Sequence, residues 1–237
     1  MHSDAAPIIL ESGKQPRHCV IWLHGLGADG HDFAPVAGEL DLPVAVRYVF
    51  PHAPMRPVTI NGGYVMRAWY DITGSAMDAR QDSEGIRSSQ AAVETLIAQQ
   101  TGLGIAPGNI FLAGFSQGGA IALHTALRQR VPLAGVLALS AYLPLADRVP
   151  HELQEASKTT PIFMAHGRND PVIPCALGAA SKETLLESGY SVAWHEYAMG
   201  HSVCEEELRD IEEWLRKQIR SKQVGSGLWP QPDADVQ

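Results

Sequence analysis

The sequence predicts an α/β protein with a mainly parallel central sheet flanked by helices. Three observations lead to this class. Apolar runs alternate with amphipathic stretches along the chain, 237 residues suit one large domain, and a glycine-rich turn separates an apolar run from a helical stretch at residues 114–119. With 45% hydrophobic residues, the chain can form a sizeable core without disulfides or metals.

Short apolar runs predict the strands in the first half of the chain, at residues 7–11, 19–23, 44–50 and 109–113. Residues 7–11 are expected at an edge of the sheet. Residues 83–101 have helical periodicity, because their apolar side chains recur on one face: Ile86, Val93, Leu96 and Ile97. The connection at residues 51–82 is long and rich in proline, glycine and aromatic residues, and loops of that length are usually functional or mobile.

The second half repeats this alternation, with strands predicted at residues 133–140, 161–165 and 190–197, and helices at 120–127, 175–188 and 202–220. Ser202 and Glu205 are spaced as a capping box for the last helix. Residues 224–237 contain Gly, Ser and Pro without periodicity, so we expect one domain over residues 1–223 and a flexible C-terminal tail over residues 224–237.

Charge and cysteine content exclude several classes of function. The net charge of −8, from 18 basic and 26 acidic residues, argues against nucleic acid as a partner, because phosphate binding needs a basic surface. Cys19, Cys175 and Cys204 show neither disulfide nor metal-ligand spacing. The sequence contains no signal peptide and no membrane-spanning run, so we expect a cytoplasmic protein without integral membrane association.

Residues 114–119, with the sequence GFSQGG, match the G-x-S-x-G nucleophile elbow of α/β-hydrolases. In that motif a sharp turn from strand to helix exposes a serine, here Ser116. The flanks fit, because a predicted strand precedes the turn and a predicted helix follows it. The alternative is a glycine turn without chemistry.

A serine nucleophile needs a base, and the base needs an acid to orient it. In α/β-hydrolases the acid follows the serine and the histidine comes last. Asp147 and Asp170 are the two aspartates between Ser116 and the last histidines. We favour Asp170, because it directly follows a predicted strand and Pro171 favours an extended conformation there. Asp147 lies in a polar stretch typical of a solvated charge or a helix cap.

Two histidines, His195 and His201, follow Asp170. His195 lies inside a predicted strand, where it is expected on a sheet face. His201 lies between that strand and the last helix, in a loop that can reach the elbow. We therefore predict that His201 takes the proton from Ser116 and that Asp170 orients His201. The alternative role for His201 is a helix flank without chemistry.

An oxyanion hole normally takes one amide from the residue after the nucleophile, here Gln117, and one from the loop after an earlier strand. Residues 24–30 follow the strand at 19–23, and Leu26 is our candidate for the second donor. His24 precedes Ser116, so we expect it to position the loop. The neighbouring polar residues Asp29, His31 and Asp32 fit no metal motif.

Four motifs, with the sequences LHGLG at residue 23, GFSQGG at 114, GRNDP at 167 and GHS at 200, together resemble the phospholipase/carboxylesterase family. That family includes bacterial carboxylesterases and acyl-protein thioesterases. The resemblance covers roughly residues 7–220, and the tail departs from the compact family pattern. It implies an α/β-hydrolase fold without a large lid domain.

The resemblance also implies site residues. It assigns a catalytic triad of Ser116, Asp170 and His201, and oxyanion donors at Leu26 and Gln117, with no cofactor and no metal. It further implies an acyl groove near six apolar residues: Trp69, Tyr70, Tyr142, Leu143, Val172 and Met199. Taken singly, these six residues fit ordinary packing in the core or in a loop equally well.

The predicted function is a serine hydrolase that cleaves carboxylic esters with small to medium acyl chains through an acyl-enzyme. An acyl-protein thioesterase or a lysophospholipase is the alternative, since the same triad serves both. A non-catalytic ligand-binding module on this fold is a third alternative. The expected partners are small-molecule esters or thioesters, or an acylated protein or lysophospholipid, and assembly into a homodimer is left open.

Overall fold

The computed structural model describes residues 6–74 and 81–225. The strands in these ranges are β1 (Ile8–Glu11), β2 (His18–Leu23), β3 (Val46–Phe50), β4 (Met55–Val58), β5 (Tyr64–Arg67), β6 (Ile110–Phe115), β7 (Gly135–Leu139), β8 (Ile162–Gly167) and β9 (Val192–Tyr197). The α-helices are α1 (Val36–Glu39), α2 (Ser83–Gly102), α3 (Gln117–Ala126), α4 (Val149–Glu152), α5 (Cys175–Glu187) and α6 (Glu205–Gly225).

Seven strands form one sheet in the order β1-β3-β2-β6-β7-β8-β9. Strand β1 pairs antiparallel with β3 at the edge, and the other neighbours in this sheet pair in parallel. The predicted fold class is confirmed: this is an α/β-hydrolase fold with a mainly parallel sheet, and the described residues contain no large lid domain.

Alternating side chains of the sheet enter two separate cores, one on each face. In β2, Ile21 and Leu23 join one core and Val20 and Trp22 join the other, because successive side chains of a strand point to opposite faces. Apolar residues of α2, α3 and α5 cover the first face, and those of α1 and α6 cover the second. Burial on both faces explains why these strands are continuously apolar in the sequence.

The last helix differs from its prediction at both ends. It begins at Glu205, and the Cys204 carbonyl accepts the first helical hydrogen bond from Leu208, so Cys204 occupies the N-cap position. The predicted capping box of Ser202 and Glu205 is therefore wrong, because Ser202 lies two residues before the cap. Helix α6 extends to Gly225, and the rest of the predicted tail lies outside the described residues.

The long connection at residues 51–82 contains a small hairpin that the sequence analysis missed. Strands β4 and β5 pair antiparallel and are joined through a 3₁₀ turn at Thr59–Asn61. The hairpin contacts the loop after β2, because the amide of Gly27 donates to the carbonyl of Arg67 at 2.9 Å. No helix within the two described ranges combines the length and apolar character that crossing a membrane requires.

The order of the strands predicts where a ligand binds. From β2 the chain moves to β3 on one side and later returns to β6 on the other, so the direction of winding reverses between β2 and β6. Open α/β sheets bind ligands outside the carboxyl ends of the strands at such a reversal. Leu23 and Gly114 are paired at this point, so the loops after β2 and β6 begin side by side.

Candidate active site

Ser116 lies between β6 and α3 in a strained backbone conformation, with φ at +55° and ψ at −121°. Positive φ is rare for a residue with a side chain and marks strain that the surrounding structure must maintain. The close packing of the turn explains its glycines. A Cβ at Gly114 would lie 2.3 Å from the backbone of Gly118, and a Cβ at Gly118 would lie 2.3 Å from the carbonyl oxygen of Leu23.

The structure brings Ser116, His201 and Asp170 into one hydrogen-bonded line. The Nε2 atom of His201 lies 2.9 Å from the Oγ of Ser116, and its Nδ1 atom lies 2.7 Å from Oδ2 of Asp170. With the proton on Nδ1, His201 donates to the carboxylate and its Nε2 accepts from the serine hydroxyl. Phe115 packs against the imidazole at 4.7 Å between ring centroids. This geometry suits proton transfer from Ser116 to His201.

Asp170 lies in a turn after β8 whose backbone donates two hydrogen bonds to its carboxylate. Its Oδ1 accepts from the amides of Val172 and Ile173 at 2.8 and 2.9 Å, and its side chain is fully buried. The buried ring of His166, at the end of the same strand, donates Nε2–H to the carbonyl of Ile173 at 2.8 Å. His166 was not among the residues predicted from the sequence, although its position four residues before Asp170 was a signal.

The alternative candidates lie away from Ser116. His195 is on β9, where its Nδ1 contacts Asp210 at 3.2 Å and its ring stacks on Phe163. This matches the sheet-face position expected for it. Asp147 is exposed in a 3₁₀ turn before α4. Neither residue forms a hydrogen bond with Ser116 or His201 in the described ranges.

The loop after β2 passes next to the nucleophile. A Cβ at Gly25 would lie 3.5 Å from the Cβ of Ser116. Within the described residues, the amides of Leu26 and Gln117 donate to no protein acceptor, so both remain available to a ligand. The structure thus leaves two free N–H groups on the two segments that meet at Ser116.

His24 has the structural position that the sequence analysis expected. Its Nδ1–H donates to the carbonyl of Gly25 at 2.7 Å, and its Nε2 accepts from the amide of Ala53 at 3.0 Å. Burial lowers the pKa of His24, while the Gly25 carbonyl acts in the opposite direction. A neutral ring with both nitrogens engaged holds the loop and leaves no nitrogen free for proton transfer.

The six predicted groove residues divide by burial. Trp69, Tyr70 and Leu143 are buried, and the hydroxyl of Tyr70 lies 2.9 Å from that of the half-buried Tyr142. Val172 is 61% exposed and Met199 is half-buried. The acyl groove stays a prediction, with Val172 as its most accessible apolar side chain. No group of three or more His, Cys, Asp or Glu within residues 6–74 and 81–225 could hold a metal ion.

Comparisons with known proteins identify the family of this chain. Residues 4–219 match the protein family described as Phospholipase/Carboxylesterase. The chain is 39% identical to acyl-protein thioesterase 1 of Gibberella zeae over 92% of this chain and 97% of that protein. It is 40% identical to acyl-protein thioesterase 1 of Neurospora crassa over 90% and 91%. The crystal structure of Zea mays acyl-protein thioesterase 2 superposes with a TM-score of 0.79 at 28% identity, covering 90% of this chain and 99% of that one.

Proposed function

Because this chain belongs to the phospholipase/carboxylesterase family, we propose that it is a serine hydrolase that cleaves acyl thioesters and esters through an acyl-enzyme. One observation carries the proposal: a single imidazole, His201, lies within hydrogen-bond distance of both the hydroxyl of Ser116 and the buried carboxylate of Asp170. This arrangement activates a hydroxyl that is otherwise a weak nucleophile.

In the proposed mechanism, the Oγ of Ser116 attacks the acyl carbon while Nε2 of His201 takes the hydroxyl proton. The tetrahedral intermediate then breaks its bond to the leaving sulfur or oxygen, which receives the proton from His201. His201 next deprotonates a water molecule that attacks the acyl-enzyme, and the carboxylic acid leaves as Ser116 regains its proton. Asp170 keeps His201 in the required tautomer and stabilises the imidazolium.

The free amides of Leu26 and Gln117 are the proposed donors to the oxyanion of each tetrahedral intermediate. Their availability supports this role, because preorganised donors stabilise charge that develops only in the transition state. Gln117 also stands at the first position of α3, where the helix dipole favours a negative charge. The mechanism as written requires no metal and no cofactor.

The names of the relatives favour thioesters as substrates. The two fungal proteins at 39% and 40% identity are acyl-protein thioesterases, and they align over nearly their full length. We therefore propose a long-chain acyl thioester on a protein as the first substrate candidate. The expected partners are accordingly acylated proteins, and a cytoplasmic location would give access to them. Homodimer formation and lysophospholipid hydrolysis stay predictions.

A carboxylesterase for small to medium acyl chains is the second candidate. Burial of Trp69, Tyr70 and Leu143 favours it, because fewer side chains of the predicted groove are open to a long acyl chain. The two candidates differ in the length of acyl chain that the groove accepts, whereas the triad serves both equally.

An acyl-chain series separates these candidates. The measurement is kcat/KM for p-nitrophenyl esters from acetyl to palmitoyl, together with matched thioesters and an S-palmitoylated peptide. The thioesterase proposal expects kcat/KM to be highest for the long-chain thioesters. A maximum of kcat/KM at short oxygen esters would contradict this proposal and favour the carboxylesterase hypothesis.

Labelling with a fluorophosphonate tests the nucleophile. Wild type should be labelled and Ser116→Ala should not. Ser202→Ala is the matched control, because Ser202 is exposed next to His201 and its side chain forms no hydrogen bond among the described contacts. Equal labelling of wild type and Ser116→Ala would exclude Ser116 as the nucleophile and with it the proposed function.

A further inference from the structure

Trp69 forms hydrogen bonds with both segments that carry the candidate oxyanion donors. Its backbone amide donates to the side-chain Oε1 of Gln117 at 2.8 Å, next to Ser116. Its indole Nε1–H donates to the backbone carbonyl of His24 at 2.9 Å, two residues before Leu26. Trp69 is 2% exposed, so neither bond competes with solvent.

Further contacts fix Trp69 itself. The side-chain Nε2 of Gln117 donates to the carbonyl of Tyr70 at 2.8 Å, so the Gln117 side chain forms hydrogen bonds with both Trp69 and Tyr70. The hydroxyl of Ser89, on α2, donates to the carbonyl of Trp69. The amide, the carbonyl and the indole N–H of Trp69 thus all form hydrogen bonds. Ser89 of α2 fixes the carbonyl of the residue, and Gln117 of the elbow fixes its amide.

We infer that Trp69 is a positioning residue that sets the spacing between the amides of Leu26 and Gln117. The inference rests on the proposed function, in which these two amides stabilise the oxyanion. The two donors follow different strands, β2 and β6, and among the described residues no hydrogen bond joins the Leu26 amide to the elbow. Trp69 supplies a connection between the two segments through its indole on one side and its amide on the other.

The indole N–H of Trp69 binds the first peptide of the oxyanion loop, which is the loop after β2 at residues 24–30. The carbonyl of His24 belongs to the peptide bond between His24 and Gly25, and its direction constrains the next peptide planes up to the Leu26 amide. The ring of His24 is anchored by Gly25 and Ala53, and it lies 5.3 Å from the indole ring. Losing the indole N–H would leave a buried carbonyl without its donor, and the peptide could rotate to find another.

Trp69→Phe tests this role, because phenylalanine retains an aromatic ring and lacks the indole N–H. We expect kcat/KM to fall by about 10-fold to 100-fold, less than the ~100-fold to 1000-fold that deletion of an oxyanion donor costs. The affinity for a trifluoromethyl ketone, whose adduct with Ser116 places an oxyanion between the two amides, should fall by a similar factor. A thioether analogue that lacks the carbonyl should bind as well as it binds to wild type.

The comparison of these two inhibitors separates positioning from a general structural defect, since a distorted site would lose affinity for both. The pH profile of kcat/KM should also stay unchanged, because Trp69 does not contact His201 or Asp170 in the described hydrogen-bond network. Trp194→Phe is the matched control: its indole N–H donates to Glu196 at 2.9 Å in an exposed pair on β9, and its loss should leave both affinities unchanged.

Gln117→Leu provides an independent test if Trp69→Phe folds poorly. It removes the side-chain bonds to Trp69 and Tyr70 and retains the backbone amide of residue 117. We expect the same selective loss of ketone affinity. Equal losses for ketone and thioether in a folded variant, or unchanged kcat/KM in both variants, would overturn the inference. Ser116→Ala keeps this outcome separate from the proposed function, because turnover that survives that change would contradict the proposed function and not the role of Trp69.

Discussion

The Nε2 atom of His166 lies 3.5 Å from Oδ2 of Asp170, and both side chains are fully buried. The same nitrogen donates to the carbonyl of Ile173, whose amide returns a hydrogen bond to Oδ1 of Asp170. A closed arrangement therefore links the end of β8 to the turn that carries the carboxylate. His166 thereby stabilises the turn whose carboxylate contacts His201.

Replacing His166 should weaken that turn. We expect His166→Leu to lower the free energy of unfolding by about 1–3 kcal/mol, because the Ile173 carbonyl loses its buried donor. The kcat/KM value should fall as Asp170 becomes less well oriented. His166→Gln keeps an N–H group and should be less affected in both properties. Urea unfolding and steady-state kinetics measure the two effects, and identical behaviour of the two variants would contradict the role of the donor.

Gly118 should tolerate no side chain. A Cβ there would lie 2.3 Å from the carbonyl oxygen of Leu23 and 2.6 Å from that of His24, so the backbone of the elbow or of the oxyanion loop must move. We expect Gly118→Ala to cost about 3 kcal/mol of stability and to abolish most of the activity.

Gly102→Ala is the control for this change. Gly102 ends α2, is exposed, and has open space around the position of a Cβ. Alanine should stabilise the helix there by about 0.5–1 kcal/mol and leave kcat/KM unchanged. Thermal unfolding measures the stability of both variants, and an ester assay measures their kcat/KM. Near-normal activity of Gly118→Ala would show that the turn is less tightly packed than these distances indicate.

Val172 offers a test of the predicted acyl groove. It is 61% exposed and lies two residues after Asp170, so an acyl chain on Ser116 could cover it. We expect Val172→Ser to lower kcat/KM for decanoyl esters by roughly fivefold, about 1 kcal/mol, and to leave acetyl esters unaffected. Val131→Ser, at a valine that is 54% exposed on the turn after α3, should change neither rate. Equal effects on both chain lengths would exclude Val172 from the groove.

Glu207 should make stability depend on pH. It is fully buried in the first turn of α6, and burial raises its pKa from 4.5 to about 8, with the Cys204 amide opposing and Asp210 adding to the shift. Between pH 4.5 and 8 the folded chain therefore holds a proton that the unfolded chain has lost. The free energy of unfolding should fall as the pH rises through this window, by at most about 1.4 kcal/mol per pH unit.

Glu207→Gln removes the carboxyl group that titrates and should flatten the dependence of stability on pH. At pH 8 the free energy of unfolding of the variant should therefore exceed that of wild type. Glu206→Gln, at the exposed neighbouring position, should keep the wild-type slope. Urea unfolding at several pH values measures all three proteins. A slope in wild type no steeper than in Glu207→Gln would contradict the raised pKa.

Local patterns were sufficient to predict most of the fold. Strands such as β2 and β6 are short apolar runs, and α2 shows a regular apolar stripe, so each could be located within a few residues. The hairpin β4–β5 was missed because its strands are largely exposed and one contains a proline, so neither presents an apolar run. The start of α6 was misplaced because Ser202 suits a cap chemically, whereas the chain turns into the helix at Cys204.

The class of the fold and the candidates Ser116, Asp170 and His201 could be predicted from the sequence, because glycine turns, strand ends and chain order are all visible along the chain. Tertiary structure alone decided that these three side chains meet at 2.7 and 2.9 Å. It also decided that Trp69, expected in a groove, is buried and bonded to both Gln117 and His24. Such contacts join residues 31 to 85 positions apart in the chain, and only the tertiary fold brings them within hydrogen-bond distance.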